Sequence, residues 1–238
     1  MQPYFFPYIG YFQLISAVDL FILYDNIKYT KKGWINRNRM LQNGQAVTFS
    51  LPLKSDSDSL DVRERQLAQD FRRDKLLNQF RGAYRNAPYF AQAFPLLEKV
   101  IQYDRTNLFD FLHYGIQETC KQLGIATEIR ISSSLTIDHA LKSQNKVLAL
   151  CKSVGADFYL NAIGGIDLYS PQAFRGQGIE LKFIRPQLRE YQQFGAKFVP
   201  WLSIIDVLMF NSLEEIQEKL IPGYSLCDGE NSVHAGRL

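Results

Sequence analysis

The chain has 238 residues, of which 46% are hydrophobic and 21% are charged, so it can build a folded core and is neither a peptide nor a disordered tail. Its 27 Lys and Arg against 24 Asp and Glu give a formal charge of only +3, which does not argue for duplex nucleic acid. Three cysteines without a CxxC or CxxH pair exclude a disulfide framework and a conventional zinc site. The apolar runs are too short to span a bilayer and no secretory signal is evident, so we expect a cytoplasmic protein.

The N-terminal part of the sequence combines an aromatic turn, a short helix and two strands. Residues 2–12 pass through two prolines into an apolar stretch that fits a helix entered at Pro7. Residues 19–25 suit a buried parallel strand, and residues 47–53 suit an edge strand. A turn of this kind is usually preceded by a strand. With Met1 alone ahead of it, the sequence leaves open whether a strand precedes the turn or the turn begins the fold.

A change to helical periodicity marks residues 70–124. Thr106 is a plausible N-cap for an apolar helix that Gly124 would end. Pro88 and Pro95 are expected to break the preceding stretch into shorter helices. We interpret this segment as a helical insertion between two halves of one α/β sheet.

After Gly124 the pattern alternates between strands and helices, which predicts right-handed crossovers and a parallel sheet. Two closing helices follow, and Ser212 and Glu215 have the spacing of a capping box at the second. We therefore predict one α/β domain over residues 1–221, with a mainly parallel, nucleotide-binding-like sheet and an insertion at about residues 70–124. Residues 222–238 are predicted to be a flexible tail. The remaining expected elements are strands at 127–132, 157–161 and 179–184, helices at 145–154, 203–210 and 212–220, and a short helix opened by Ser170 and Pro171.

The strongest local charge feature is the segment 26–55, which holds six Lys and Arg and no acidic residue. Within it, Lys32 and Arg37 offer cations to a phosphate or carboxylate, and Trp34 offers a face for a ring. Asn36 and Asn38 add carboxamides that fix orientation. The plain alternative is a solvated loop whose tryptophan fills the core.

The aromatic turn itself is a second candidate for ligand binding. Gln2, Tyr8 and Tyr11 lie where mononucleotide-binding folds approach phosphate through backbone amides. An aromatic N-terminal arm packed on the core explains the same residues about equally well.

Two later segments follow predicted strands and would therefore reach the same edge of the sheet. Ser133 lies in a serine cluster that could bind an oxyanion or simply form a turn. Asn161, Gly164 and Gly165 would allow a ligand to approach the backbone, although a tight turn also accounts for them.

Support for catalysis is thin in the sequence. Neither a P-loop nor a GxGxxG fingerprint is present, and no Ser or Cys has an obvious His partner. Asp25 and Asp206 are the candidate acids or bases, because one follows a predicted strand and the other lies in a closing helix. No metal site is predicted, and the sequence names no cofactor.

The turn 2–12, Asp25 and the stretch Lys32 to Asn38, taken together, resemble the WbqC-like family of bacterial proteins. The later stretches 159–169, 191–193 and 198–206 are similar to it as well, so the resemblance covers nearly the whole chain and adds Gln193 to the candidate binding residues. Members of the family normally begin with a short apolar strand ahead of the turn.

The resemblance implies a role in the biosynthesis of O-antigen or another surface polysaccharide, with a nucleotide-activated or amino sugar as substrate. We expect a transferase or ligase of acyl, aminoacyl or nucleotidyl type that stabilises charge with preorganised donors. The alternative is a non-catalytic module that binds a nucleotide-sugar or glycan. Single-stranded nucleic acid, bound by the basic segment, is the least favoured partner.

Overall fold

The computed structural model describes residues 1–195 and 197–228, and in this part of the chain helices alternate with short strands. The helices are α1 (Ile9–Ser16), α2 (Arg73–Tyr84), α3 (Phe90–Ile101), α4 (Leu108–Leu123), α5 (Ser143–Ser153), α6 (Pro171–Arg175), α7 (Ile204–Phe210) and α8 (Leu213–Glu215). The strands are β1 (Leu20–Leu23), β2 (Arg37–Gln42), β3 (Gln45–Ser50), β4 (Glu128–Ile131), β5 (Phe158–Ala162), β6 (Glu180–Pro186) and β7 (Tyr224–Cys227).

The strands form three small sheets within the described residues, where the sequence predicts one mainly parallel sheet. β1 pairs with β4 and β5 pairs with β6, both in parallel. β2 and β3 form an antiparallel hairpin, and β7 adds antiparallel to β6. The fold is therefore mixed α/β, with helices and small sheets.

The main hydrophobic core is rich in aromatic side chains. Phe5, Phe12 and Phe49 are almost completely buried in it together with Phe80 and Phe111. The ring of Phe49 meets the edge of the Phe80 ring at 5.0 Å, and such pairs add to the stabilisation by area burial. Seven of the eleven residues of the aromatic turn 2–12 are buried, and the other four, among them Gln2, Tyr4 and Tyr8, are partly exposed.

Residues 70–124 are helical, as predicted, with two differences in detail. α4 is capped by Asn107 rather than Thr106, because the Asn107 carboxamide oxygen accepts a hydrogen bond from the Asp110 N–H at 3.1 Å. Gly124 ends α4 in the left-handed conformation, as expected. Pro95 lies inside α3 and does not break it.

The basic segment contains a strand that the sequence analysis did not predict. β2 and β3 meet at Asn43 and Gly44, which both have positive φ, at 51° and 74°. This dipeptide favours the tight turn of a two-residue hairpin. The hairpin fixes the residues from Arg37 onward in an extended backbone with alternating burial.

An open slot of about 360 Å³ lies between β1 and β5. On one side, the Met1 nitrogen donates to the Ile22 carbonyl at 2.6 Å and the Tyr24 N–H donates to the Met1 carbonyl at 2.8 Å. This is the hydrogen-bond pattern of a parallel strand pairing along β1. Burial lowers the pKa of the terminal amine of Met1 to about 5.

The segment predicted to be a tail contains β7, whose residue Tyr224 pairs opposite Pro186 of β6. Residues 229–238 lie outside the described residues. No helix of the described chain is both long and apolar enough to cross a membrane.

Candidate functional site

A hollow of about 640 Å³ lies where the aromatic turn, the tryptophan of the basic segment and the end of β5 meet. Its walls are mainly phenol and indole rings with a few carboxamides. Its lining residues are Met1, Gln2, Tyr4, Pro7, Tyr8, Gly10, Tyr11, Leu14, Tyr24, Ile27, Trp34, Asn38, Arg39, Tyr159, Asn161, Ala162, Gly164, Gly165, Leu168, Tyr169 and Trp201.

The aromatic turn is held against β2 by a buried carboxamide. Asn38 donates from Nδ2 to the carbonyl oxygens of Phe5 and Phe6, at 3.2 and 2.8 Å. Ser203 donates from its hydroxyl to the same Phe6 oxygen at 2.7 Å. Phe6 has a φ of 42°, a left-handed conformation that is unfavourable for a bulky side chain. These bonds hold the strained turn that aims Tyr8 into the hollow.

Tyr8 and the start of α1 are packed without room for a side chain at Gly10. A Cβ atom at Gly10 would lie 2.4 Å from the Tyr8 ring and 2.7 Å from Pro186. The Tyr8 ring also meets the Trp201 ring edge-on, with centroids 6.2 Å apart. Burial raises the pKa of the Tyr8 phenol, so at neutral pH it is a neutral hydrogen-bonding group.

Arg39 is the cation of the hollow. Its guanidinium lies 5.5 Å from the Trp34 ring centroid, and Nη2 donates to the Trp201 carbonyl at 3.0 Å. Its Nε is buried and has no hydrogen-bond partner within residues 1–195 and 197–228. Arg39 lines the hollow, so its guanidinium can attract an anion there.

Arg37 was expected to bind the anion, but its side chain is engaged in its own loop. Nε donates to the Gly33 carbonyl at 2.8 Å, and Nη2 donates to the Lys32 carbonyl. The Lys32 side chain is exposed, and neither residue lines the hollow. Asn36 accepts a hydrogen bond from the Tyr29 hydroxyl and donates one to the Leu51 carbonyl, both at 2.8 Å. Its carboxamide therefore connects two segments of the fold.

The carboxyl end of β5 supplies the wall opposite the aromatic turn. Asn161 accepts the Ala162 N–H at its carboxamide oxygen, at 2.8 Å. A Cβ atom at Gly165 would lie 2.8 Å from the Asn161 Nδ2, so the glycine leaves that carboxamide room. Gly164 and Tyr169 complete this wall. The position is the one where α/β proteins bind ligands, beyond the carboxyl ends of parallel strands.

Asp25 lies at the carboxyl ends of β1 and β4, but it does not line the hollow. Its carboxylate accepts hydrogen bonds from the Ser132 hydroxyl and the Ser133 N–H, both at 3.0 Å, and lies 3.8 Å from the Arg63 guanidinium. Burial acts to raise the pKa of Asp25, but the hydrogen bonds from the two serines outweigh it and lower the pKa. Asp25 is therefore an ionised, satisfied carboxylate that joins the two strand ends.

Asp206 is completely buried, away from the hollow. It accepts hydrogen bonds from the hydroxyls of Tyr84 and Tyr191, at 3.0 and 2.7 Å, and from the Gln193 carboxamide at 2.6 Å. Burial raises its pKa although these bonds act in the opposite direction. Gln193 also exchanges two hydrogen bonds with the backbone of Val199, so this cluster fixes the segment that leads to Trp201.

The hollow is rich in donors and poor in acidic groups. Among the described residues, its lining holds one guanidinium and no Asp, Glu, Lys, His or Cys. Gln2 accepts from the Tyr4 hydroxyl at 3.1 Å, and Tyr11 donates to the Gln2 carbonyl at 2.8 Å, so the polar groups at this end are held in place. Within residues 1–195 and 197–228, no group of three His, Cys, Asp or Glu could hold a metal ion.

The predicted binding residues are thus divided by the fold. The hollow brings together Gln2, Tyr8, Tyr11, Trp34, Asn38, Asn161, Gly164 and Gly165. The other candidates lie elsewhere, namely Asp25, Lys32, Asn36, Arg37, Ser133, Gln193 and Asp206.

Sequence reasoning missed Arg39 and gave Trp201 no role. The Asn43-Gly44 turn predicts a hairpin whose first strand contains both Arg37 and Arg39. Because residues two apart in a strand point to the same face of the sheet, Arg39 would have been a candidate beside Arg37. Nothing local in the sequence places Trp201 beside Tyr8, because the two residues are almost two hundred positions apart.

The structure is that of a mixed α/β protein with an aromatic-walled hollow at the carboxyl end of β5. A model of the WbqC-like protein family matches residues 2–218, and the chain therefore belongs to that family. It is similar to the uncharacterized protein Rv1507c of Mycobacterium tuberculosis, with 28% identity over 215 residues, which cover 89% of this chain and 91% of the relative. No solved structure matches the chain significantly.

Proposed function

We propose that the hollow binds an anionic, ring-bearing small molecule of the nucleotide-activated or amino sugar class. In this proposal the protein is a cytoplasmic transferase or ligase that modifies such a precursor for a surface polysaccharide such as O-antigen. The parallel pairs at whose carboxyl ends the hollow lies support a nucleotide-binding-like interpretation of the fold.

The observation that carries the proposal is the position of Arg39 between the two tryptophans of the chain. Trp34 and Trp201 both line the hollow, and Arg39 contacts the ring of one and the backbone of the other. A guanidinium that lines the hollow is suited to a phosphate or carboxylate oxygen, while the indole faces are suited to a base or a sugar ring. Arg39 thus takes the role that the sequence analysis gave to Arg37.

The other wall supports recognition of the ring substituents. Asn161 and the neutral phenols of Tyr8 and Tyr24 offer hydrogen bonds to hydroxyl groups, and burial raises the pKa of both phenols. Gly164 and Gly165 allow close approach to the backbone. The cavity is within the size range of small-molecule sites.

As a transferase or ligase, the protein would act mainly by orienting its substrates and by stabilising developing negative charge with Arg39 and the surrounding donors. The base proposed from the sequence, Asp25 or Asp206, does not line the hollow, and its role stays a prediction.

One observation favours the second candidate, a non-catalytic binding module. In the part of the chain that the structure describes, the lining has no carboxylate, imidazole, thiol or amine side chain to carry a proton or act as a nucleophile. A module of this kind would bind the sugar precursor intact and present it to an enzyme.

A thermal-shift screen of the purified chain against nucleotides, nucleotide-sugars, amino sugars and simple sugars tests the proposal. A specific ligand raises the melting temperature by mass action, and we expect the nucleotide-sugars or amino sugars to do so. The absence of any shift across these classes would contradict the proposal.

The best ligand is then incubated with acyl, aminoacyl and nucleotidyl donors, and products are followed by mass spectrometry. A modified sugar identifies a transferase or ligase. Tight binding with intact ligand recovered from every incubation identifies the binding module.

A further inference from the structure

Large apolar side chains are exposed around the opening of the hollow. Trp34, Leu168 and Trp201 line the hollow and are 44%, 68% and 45% exposed. We call these three residues the apolar rim. Clustered apolar exposure of this kind marks a surface that contacts a protein or a membrane.

The segments that carry the two tryptophans are both basic. Residues 26–55 hold six Lys and Arg and no acid, and residues 185–201 hold three Lys and Arg and one acid. The whole chain has a charge of only +3, so the rest of the sequence is net acidic. Lys28 and Lys32 are exposed and form no ion pair within the part of the chain that the structure describes. The two tryptophans of the apolar rim therefore lie on basic segments of an otherwise acidic chain, while Leu168 lies outside these segments, beside the exposed Asp167.

We propose that the apolar rim docks on an anionic lipid surface, with Trp34, Leu168 and Trp201 inserted among the headgroups and the opening of the hollow facing the membrane. Indole rings prefer the headgroup level of a bilayer, and an aliphatic side chain reaches the acyl region below it. Lys28 and Lys32 add attraction to anionic headgroups. The proposal is independent of which ligand the hollow takes.

Leu168 favours a lipid surface over single-stranded nucleic acid. Tryptophans and basic residues occur in both kinds of site, but stacking platforms for bases are built from planar side chains. The most exposed member of the rim is instead an aliphatic side chain without a stacking face. It gains nothing from a nucleic acid and is stabilised by transfer to hydrocarbon.

Sedimentation with lipid vesicles tests the proposal on the full chain. Vesicles of phosphatidylglycerol mixed with phosphatidylcholine are expected to bind the protein and shift its tryptophan emission to the blue. Pure phosphatidylcholine vesicles and high salt should weaken binding, because both reduce the electrostatic attraction. A failure to bind the anionic vesicles overturns the proposal, as does preferential binding to an oligonucleotide of single-stranded DNA.

Matched variants distinguish vesicle binding by the apolar rim from nonspecific binding by any exposed apolar side chain. Leu168→Gln should weaken vesicle partitioning about tenfold, since a leucine is lost from the apolar phase. Leu226→Gln is the control, because Leu226 is also exposed, at 49%, but does not line the hollow. Equal effects of the two changes overturn the proposal.

A second pair of variants tests the contribution of Lys28 and Lys32 to binding of anionic vesicles. The double change Lys28→Gln and Lys32→Gln should lower the fraction bound to anionic vesicles severalfold. Lys75→Gln with Lys152→Gln removes the same charge from exposed positions outside the two basic segments and should have little effect. Loss of binding in both double variants to the same extent would contradict docking by this face.

Discussion

Arg39 donates a hydrogen bond from Nη2 to the main-chain oxygen of Trp201 at 3.0 Å. The bond joins β2 to the segment ahead of α7, and the Ser203 N–H donates back to the Arg39 carbonyl at 2.8 Å. Trp201 has a φ of 59°, so this pair of bonds holds a bulky residue in the left-handed region. Backbone strain of this kind is concentrated at functional sites.

The strain at Trp201 predicts an unusual order of stability for two variants. Trp201→Gly should be more stable than Trp201→Ala by about 1 kcal/mol, because glycine adopts a positive φ without the Cβ penalty. Urea unfolding of both proteins measures the difference. Phe158 is the control, since it lies exposed in β5, where Phe158→Gly should be less stable than Phe158→Ala. The same order at both positions would contradict strain at Trp201.

Asp25 predicts a defined dependence of stability on pH. Its folded pKa is lowered from the ordinary 3.8, so its contribution is fully present above about pH 3.8 and is lost as the pH falls through the folded pKa. Asp25→Asn should cost about 1–3 kcal/mol at pH 7, and the difference from the native chain should shrink below pH 3.8. Unfolding measured from pH 7 to pH 2 checks this, with exposed Asp104→Asn as the control. A constant difference across that range would show that the charge of Asp25 is not what stabilises the fold.

We expect Asp206 to stabilise the fold. Asp206→Asn replaces an acceptor oxygen by a donor facing the hydroxyls of Tyr84 and Tyr191 and the carboxamide of Gln193. We expect a loss of about 2–4 kcal/mol of unfolding free energy. Unfolding of the variant and turnover by its folded fraction separate the two roles. Native stability together with abolished turnover would instead support Asp206 as the base.

The slot between β1 and β5 predicts that an added strand stabilises the fold. Four β-branched residues placed ahead of Met1 would continue its parallel pairing with β1 and occupy the slot. The melting temperature should rise by about 2–8 °C, if the strand adds about 1–2 kcal/mol. Four Gly and Ser residues at the same place serve as the control. Equal melting temperatures for the two extended chains would exclude strand pairing in the slot.

Local patterns in the sequence were sufficient to predict most of the helices and strands. The apolar run of β1, the period of α4 and the caps at Ser212 and Gly124 depend on neighbours close in the chain, and they were predicted correctly. β2 was missed because its sequence RNRMLQ lacks an apolar alternation, and only the Asn43-Gly44 turn signals the hairpin.

The site was predictable only in part, since its residues come from distant segments. The two segments singled out from the sequence, the aromatic turn and the basic tryptophan stretch, do meet in one hollow. The choice between Arg37 and Arg39 depends on the loop carbonyls at Gly33 and Lys32, which occupy the Arg37 side chain. No property of the sequence reports where those carbonyls point.

Isothermal titration of the best ligand from the screen into Arg39→Gln and Arg37→Gln tests the role of Arg39 most directly. Arg39→Gln should weaken binding at least tenfold, because about 1.5–3 kcal/mol of charge-assisted hydrogen bonding is lost. Arg37→Gln should bind like the native chain, provided that its melting curve shows a folded protein. Native affinity in folded Arg39→Gln would contradict the assignment of the anion to Arg39.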